Sequence, residues 1–507
     1  MKLIFTCLFL FGFTCFGQSL KDEIDIKVGK QKIYDSKEIK EGYNSNTFKY
    51  NDNDVFQSTK MDVDLVVGQH ENRYEGFKEV NVLAKKRFYD SQILLKKGGE
   101  FYVLFGEASQ DEKNYNFYYQ KVDAKNFETT GKRTKFTQVK IDGNFKASDF
   151  FITVSKDYSK ILVTCRFGNK IGSTNELLFT VYNADFDKIW RESQRFANYS
   201  MGELYKNILV DNHGNVYYLF SKYLGQVILD PKSGSSTRAY EFRGIVNNGT
   251  DYKKYINAVV IDYVISEAVL KVNENNDVFV LGSFSYIGDQ LAKGAYIMKV
   301  NNKTKEIEYE VFNEFDSKII IAGNKKYEKK TPKPEKLKRM EMSDFIVNNV
   351  FFRENGNLLF VAENNSAKQV GEGSTTTPWI KYLIVMEIDE NGKTLWGDKI
   401  PINQIIKNYY YRFGSYGLAY VDNELYLIYN KGEVKFNGYD LCVTKFDKTG
   451  NRVDDVLINA QNETFKLIPK SSKQISSNEV IFMCEKSKLW KKSRTHSEGY
   501  LLKITFN

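Results

Sequence analysis

Seven copies of one short pattern constrain the fold of this chain more than any other feature. Gly, Asn and Asp allow the left-handed backbone of a tight hairpin turn, and β-branched or aromatic residues favour a strand. Each copy is such a polar turn followed by an alternating apolar run, in Gly98–Gly106, Asp157–Cys165, Asp211–Phe220, Glu274–Gly282, Glu354–Ala362, Asp422–Asn430 and Ser477–Cys484. The pattern predicts seven hairpin turns that each lead into a strand.

A second strand-and-turn pattern follows each copy of the first. It is an apolar run, and most examples end in Asp or Asn before another turn, in Phe117–Asn126, Leu177–Trp190, Gln226–Gly234, Ala295–Thr304, Tyr382–Trp396, Leu441–Gly450 and Gly499–Phe506. An Asp or Asn at this position accepts hydrogen bonds from backbone N–H groups of its own turn. No helical period separates the two patterns, which predicts repeated units of four antiparallel strands.

Repeated four-stranded sheets arranged around an axis leave only short protected edges. We therefore predict an all-β fold with a seven-bladed β-propeller of four-stranded antiparallel blades over residues 61–507. Six or eight blades and a pair of stacked β-sandwiches are the alternatives. Because the chain ends one strand short of a full last blade, an early strand is expected to complete it, either Lys78–Ala84 or Asp62–Val67.

The N-terminus has the pattern of a secretory signal. Lys2 precedes the apolar run Leu3–Phe16, and Gly17 provides the small residue before a cleavage site. Residues 1–17 are therefore predicted to be a signal peptide, and residues 18–60, rich in Lys, Asp and Asn, an N-terminal extension. The protein is expected to be exported and periplasmic, with the cell surface or secretion as the second choice.

The cysteines of the remaining chain do not form a disulfide framework. Cys165, Cys442 and Cys484 are an odd number, widely spaced, and each lies in a strand-like apolar run. Their spacing also does not match a zinc site. We predict that they are buried free thiols that pack as small apolar side chains.

Three turns resemble the repeat of pyrroloquinoline-quinone-like β-propellers, in which a strand is followed by Asp, a turn with Gly, and Trp. They are Ile388–Trp396, Phe446–Val453 and Leu229–Gly234. That group includes the periplasmic propeller scaffold of outer-membrane assembly. The Gly17-Gln18 signal ending and the usage rich in Lys, Asn, Tyr and Phe and poor in Pro are similar to exported envelope proteins of Bacteroidota. The resemblance implies a propeller in the cell envelope.

The sequence assigns no catalytic, metal or cofactor-binding residue. His70, His213 and His496 are the three histidines, and their spacing does not match a metal site. The chain has neither a nucleophile elbow nor a phosphate-binding loop. It also lacks the adjacent cysteines that the resemblance to quinone-dependent enzymes would require, so we predict no cofactor. Whether the protein is an enzyme stays open, and a non-catalytic role is favoured.

The strongest charge feature is a basic segment, residues 325–341, in an otherwise moderately basic chain with a formal net charge of +9. A solvated inter-strand loop is the simplest interpretation, and a docking loop for an acidic partner or an anionic membrane surface is the functional one. A second basic cluster, Lys486–Arg494, surrounds a tryptophan. The predicted partner-binding residues are Lys325, Lys326, Lys329, Lys330, Lys333, Lys336, Lys338, Arg339, Trp490, Lys491 and Lys492.

These features predict a non-catalytic periplasmic scaffold for protein–protein interaction. A subunit of an outer-membrane assembly or type IX secretion complex would fit such a protein. The partner is expected to be another envelope protein; peripheral association with the outer membrane stays open, and nucleic acid and a transmembrane segment are not expected. The alternative from another class is a carbohydrate-active or other hydrolytic propeller that uses Asp and Glu residues near the axis.

Overall fold

The computed structural model describes the chain with gaps. The described residues are 14–15, 26–35, 45–49, 55–61, 64–70, 74–80, 93–97, 100–109, 113–123, 129–140, 150–167, 175–196, 199–200, 207–223, 238–247, 253–260, 263–286, 292–322, 332–337, 345–369, 376–405, 413–435, 438–459, 465–488 and 496–506. Structural statements below refer to these residues. The predicted signal peptide lies outside them except for two residues, and it stays a prediction.

The first half of the described chain forms antiparallel sheets from consecutive segments. Two N-terminal strands come first, β1 (Thr14–Cys15) and β2 (Ile26–Asp35). Sheet 1 contains β3 (Ser45–Lys49), β4 (Val55–Met61), β5 (Asp64–His70) and β6 (Tyr74–Val80). Sheet 2 contains β7 (Ile93–Lys97), β8 (Glu100–Ala108), β9 (Asn114–Val122) and β10 (Thr129–Lys140). Sheet 3 contains β11 (Phe150–Val154), β12 (Lys160–Phe167), β13 (Asn175–Asn183) and β14 (Lys188–Phe196). Sheet 4 contains β15 (Tyr199–Ser200), β16 (Ile208–Val210), β17 (Val216–Tyr223), β18 (Arg238–Asn247) and β19 (Lys253–Val259).

The second half continues in the same way, with two short helices between sheets 5 and 6. Sheet 5 contains β20 (Tyr263–Val272), β21 (Val278–Tyr286), β22 (Gly294–Asn301) and β23 (Glu306–Glu314). The helices are α1 (Ser317–Ile321) and α2 (Pro334–Leu337). Sheet 6 contains β24 (Phe345–Phe352), β25 (Leu358–Gln369), β26 (Thr376–Ile388) and β27 (Thr394–Ile405). Sheet 7 contains β28 (Gly417–Val421), β29 (Glu424–Lys435), β30 (Gly438–Phe446) and β31 (Arg452–Ile458), and one parallel pair, Ile405 opposite Glu433, joins β29 to β27 of sheet 6. Sheet 8 contains β32 (Phe465–Ser476), β33 (Glu479–Lys488), β34 (His496–Phe506), β2 and the two-residue β1, which pairs with β2.

The predicted all-β class and the four-stranded antiparallel sheets are confirmed. Each of the seven turn-and-strand copies coincides with the second strand of a sheet: β8, β12, β17, β21, β25, β29 and β33. Sheet 1 was not predicted as a unit, because its short strands carry many polar residues and lack the repeated turn. Strands β2, β3 and most of β4 fall within the predicted N-terminal extension, residues 18–60. The division into extension and propeller stays a prediction.

The predicted closing strand was wrong. The strand that completes sheet 8 is β2, which pairs with β34 from Ile26 opposite Phe506 to Asp35 opposite Glu498. The candidates Lys78–Ala84 and Asp62–Val67 overlap β6 and β5, which pair with each other in sheet 1. Backbone hydrogen bonds are the same for every sequence, so apolar content could not identify the partner of β34. The third strand of sheet 4 is β18, whereas the predicted segment Gln226–Gly234 lies outside the described residues.

Apolar side chains join neighbouring sheets into continuous cores. Separate buried clusters bridge sheets 2 and 3, 3 and 4, 4 and 5, 5 and 6, 6 and 7, and 7 and 8. The first strands of successive sheets also contact one another, as β20 contacts β24 and β28 contacts β32. Strand β21, the second strand of sheet 5, is buried on both faces, since every residue except its last is buried, and this explains its nearly continuous apolar run.

The hairpin turns follow the predicted capping chemistry. Asp211 Oδ1 accepts hydrogen bonds from the backbone N of His213 at 2.9 Å and of Asn215 at 2.8 Å. Asp389 and Asp447 make the equivalent pairs of bonds in their own turns. These side chains satisfy backbone donors that a tight turn leaves without partners. The recurring Asp therefore has a structural role in these three turns.

Turns of successive sheets also contact each other. The backbone N of Asp157 donates to Asn212 Oδ1 at 3.3 Å, and the backbone N of Asn212 donates to Asn276 Oδ1 at 3.4 Å. Farther along the chain, Gln474 exchanges two hydrogen bonds with the backbone of Tyr420. The turns thus link sheet 3 to sheet 4 and sheet 4 to sheet 5, whereas Tyr420 of β28 and Gln474 of β32 link sheet 7 to sheet 8.

The three cysteines are buried and free, as predicted. Burial raises the pKa of Cys165, and burial raises the pKa of Cys442 to about 12. A thiol with a raised pKa stays protonated and is a poor nucleophile at neutral pH. These cysteines therefore pack as apolar side chains.

Substitution of Gly450 by alanine is expected to destabilise the protein by about 2–4 kcal/mol. Gly450 has a φ of +87°, and an added Cβ would lie 2.4 Å from Trp396 Cδ2. Gly432→Ala is the matched control, since Gly432 has a φ of +99° and open space around its Cβ position. The control should lose only about 1 kcal/mol from backbone strain. Urea unfolding midpoints measure both, and equal losses would show that the Trp396 contact is unimportant.

Candidate functional site

The predicted docking segment belongs to the long connection between β23 and β24, residues 315–344. Hairpin turns in sheet 5 lie between β20 and β21 and between β22 and β23. Strand β23 runs away from its turn, so the β23–β24 connection leaves from the opposite strand ends. The β23–β24 connection therefore leaves sheet 5 at the same strand ends as the β21–β22 connection, opposite the other two turns.

Helix α1 begins this connection and is capped by its own residues. Asp316 accepts a hydrogen bond from the backbone N of Lys318 at 2.9 Å, which is an N-cap interaction. That hydrogen bond lowers the pKa of Asp316 and outweighs its partial burial. The backbone N of Ala322 donates to Lys318 O at 3.0 Å and ends the helix. The five-residue helix is too short to be stable by propensity and depends on its contacts.

One aromatic and one aliphatic residue anchor the start of the connection in the protein core. Phe315 packs on Phe345, with ring centroids 5.3 Å apart, and its backbone N donates to Lys293 O at 2.9 Å. Ile319 is buried in the cluster that joins sheets 5 and 6. Gly397 on β27 makes room for it, because a Cβ on Gly397 would lie 2.6 Å from Ile319 Cδ1. Helix α1 is therefore packed tightly on β27.

Lys399 holds the end of the same helix. Its Nζ donates to the backbone O of Ile320 at 2.8 Å and lies 5.1 Å from the centroid of the Tyr382 ring. Carbonyl groups of a last helical turn have no partner within the helix, and the Lys399 amine provides one for Ile320. Only 8% of Lys399 is exposed. The sequence did not single out Lys399, because nothing near residue 399 indicates contact with residue 320.

The structure describes part of the predicted partner-binding set. Lys333 is exposed, and its backbone O accepts from the backbone N of Leu337 at 3.0 Å at the start of α2. Pro332 beside it is buried, Lys336 lies within α2, and α2 contacts α1. The remaining predicted residues lie outside the described residues: Lys325, Lys326, Lys329, Lys330, Lys338, Arg339, Trp490, Lys491 and Lys492.

The two basic clusters belong to different sheets. The segment 325–341 connects sheets 5 and 6, whereas Lys486–Arg494 spans the end of β33 and its connection to β34 in sheet 8. Of the two basic clusters, the one between sheets 5 and 6 adjoins described helices that pack on the protein.

The carboxylates considered for hydrolysis have internal partners wherever they are buried. Glu387 forms an ion pair with Arg353 at 3.0 Å, and Glu241 forms one with Arg243 at 2.8 Å. Ser415 Oγ donates to Glu363. In the described part of the chain, no group of three or more His, Cys, Asp or Glu side chains could hold a metal ion. The hydrolytic alternative has no assigned pair of carboxylates and stays a prediction.

Large exposed apolar side chains are scattered over the described surface. They occur on six different strands, at Ile189, Tyr255, Tyr286, Ile307, Leu395 and Val456. Single exposed apolar residues are normal on a protein surface and do not mark a binding patch. Charge is therefore the better guide to a docking surface here.

The described helices have five and four residues, and no helix there has the length and apolar character needed to cross a membrane.

No protein-family model matches this chain, and no curated protein matches it in sequence. A protein of Listeria monocytogenes EGD-e has a similar structure, with a TM-score of 0.37 and 8% identity over 80% of this chain and 94% of that one. Prolyl oligopeptidase B of Galerina marginata has a TM-score of 0.39 and 9% identity over 88% and 55% of the two chains. A variant of the Synechocystis apocarotenoid oxygenase has a TM-score of 0.32 and 8% identity over 71% and 74%. All three TM-scores are below 0.5, so none of these likenesses establishes the fold.

Proposed function

We propose that this protein is a non-catalytic scaffold that binds an acidic protein partner through the basic segment, residues 325–341. The observation that carries the proposal is the packing of the two short helices next to and within this segment. Helix α1 is fixed on β27 by Ile319 and Lys399, and α2 contacts α1. A binding segment attached to a fixed base loses less conformational entropy on binding than one on a free linker.

The charge of the segment defines the partner. It contains eight Lys or Arg residues and three Glu residues, and Lys333 within it is exposed. Such a charge density attracts acidic surfaces and speeds their association. An acidic envelope protein is the partner that we propose, and binding to anionic lipid is an outcome that the experiment below separates from it.

We further propose that the sheets are blades of one β-propeller and that the protein acts in the periplasm. The contacts between first strands of successive sheets, and the pairing of β2 with β34, support the ring. With sheet 1 included, this arrangement would have eight blades, one of the alternatives to the predicted seven. A place in an outer-membrane assembly or type IX secretion complex remains our hypothesis for the biological setting.

Neutralising the basic segment is expected to weaken partner binding at least tenfold without changing stability. The variant replaces Lys325, Lys326, Lys329 and Lys330 by glutamine. Glutamine keeps a polar side chain of similar shape, whereas each lysine charge that it removes contributes to attraction of an acidic partner. The matched control replaces by glutamine four lysines that are exposed in the described part of the chain: Lys132, Lys303, Lys393 and Lys448.

Binding is measured with fluorescent poly-glutamate and with phosphatidylglycerol vesicles, and the melting temperature of each variant is measured in parallel. Selective loss of poly-glutamate binding in the first variant supports the protein partner. Selective loss of vesicle binding would show that the segment binds an anionic membrane surface and would overturn the protein partner. Equal binding by the native protein and both variants would overturn a docking role for the segment.

A further inference from the structure

Lys399 is a buried amine in an otherwise apolar contact. Its Nζ reaches the backbone O of Ile320 at 2.8 Å, and the side chain is enclosed by α1, Tyr382 and β27. An ammonium group in this position loses most of its hydration and gains in return one carbonyl partner and a contact with the Tyr382 ring. The charged form of Lys399 is therefore in an unfavourable environment when α1 is docked.

Few charges around Lys399 compensate for this burial. Asp398 is its neighbour on β27, but Asp398 also pairs with Arg452 of β31 at 3.3 Å. Arg452 in addition donates to the backbone O of Lys399 at 3.3 Å, so it places a second cation nearby. On α1, Asp316 and Lys318 are both exposed. Burial lowers the pKa of Lys399 to about 8, and Asp398 offsets only part of that effect.

We propose that Lys399 is a proton-sensitive latch, a positioning residue whose neutral form holds α1 on β27 and whose protonated form favours release of α1. The position of the basic segment would then depend on the ionisation of one buried amine. The biological meaning of the latch depends on the proposed docking function, because α1 is the base of that segment. The effect of Lys399 protonation on the contact between α1 and β27 does not depend on that function.

The direction of the pH effect follows from linkage. When α1 leaves β27, Lys399 is rehydrated and its pKa returns toward the ordinary 10.5. The released state therefore binds a proton more tightly than the docked state, so raising the pH favours docking. The equilibrium constant for docking of α1 on β27 should be constant below about pH 7. It should increase between the pKa of Lys399 in the docked state, about 8, and its pKa in the released state. If release restores hydration fully, docking strengthens about tenfold between pH 7 and pH 9.

Hydrogen exchange on the full-length protein tests this proposal without a partner. The reporter amides are those of Ile320 and Ala322, which donate to Asp316 O and Lys318 O in the docked helix. Exchange rates are corrected for the intrinsic pH dependence of each amide. We expect the protection of these two amides to rise at least threefold from pH 7 to pH 9, while the amide of Val385 in the core strand β26 stays constant.

Two variants separate titration of Lys399 from other effects of pH. Lys399→Met cannot be protonated and Lys399→Arg stays protonated, so both should give a flat protection profile. The exposed Lys393→Met should keep the native profile. A flat native profile, or a rise that persists in Lys399→Met, would overturn the latch. Loss of poly-glutamate binding has no bearing on these amides, so failure of the latch and failure of the docking function are distinguishable.

Discussion

Removal of residues 1–35 is expected to destabilise the protein by an amount comparable to a typical total stability, about 5–15 kcal/mol, whereas removal of residues 1–25 should have little effect. The difference between the two truncations is β2, which pairs with β34 along nearly its whole length. Without β2, the last strand of the chain becomes an exposed edge with unpaired backbone groups. Sheet 8 also packs on sheet 7, so its loss exposes a large shared core.

The measurement is thermal unfolding followed by circular dichroism for both truncations. A synthetic peptide of residues 26–35, added to the longer truncation, should restore part of the lost melting temperature by pairing with β34. The removal of residues 499–507 should give a similar loss from the other end of the chain, since it deletes most of β34 itself. Identical melting of the two N-terminal truncations would contradict a closing role for β2.

Replacement of Arg353 by methionine is expected to cost about 3–5 kcal/mol, because it leaves a buried carboxylate without its cation. Arg353 and Glu387 have side-chain exposures of 5% and 4%, and their charged atoms are 3.0 Å apart. Arg353 also donates to the backbone O of Asn423 at 2.9 Å, which links sheet 6 to sheet 7. After the substitution, Glu387 keeps only the neutral donors Asn357 and Trp396.

The effect of Arg353→Met is measured as the change in the free energy of unfolding in urea. The double variant with Glu387→Gln should recover a large part of the loss, since the uncompensated charge is then removed. Arg195→Met is the surface control, because Arg195 pairs with Glu176 but is 78% exposed, and it should lose less than about 1 kcal/mol. Equal losses for Arg353→Met and Arg195→Met would show that burial of the pair has no energetic consequence.

Local features of the site were partly predictable from the sequence. The charge of residues 325–341 is visible in the sequence, whereas helix α1 and its Asp316 cap were not predicted, because a five-residue helix gives no helical period. The contact of Lys399 with Ile320 was not predictable, because it joins residues that are far apart in the chain and depends on how β27 packs beside α1. The close approach of Ile319 to Gly397 was not predictable either, since a glycine occurs within a strand for several different reasons.

The sequence by itself determined the strand-forming runs, the capped turns and the burial of the cysteines. These properties depend on residues close together in the chain, such as Asp447 and the backbone of Asn451. Only the tertiary structure decided that β2 pairs with β34, that sheet 1 is an additional unit, and that Lys399 reaches α1. Backbone hydrogen bonds between strands do not depend on side-chain identity, so strand pairing leaves no local pattern in the sequence. The burial of an amine depends on neighbours from distant segments of the chain, so it leaves no local pattern either.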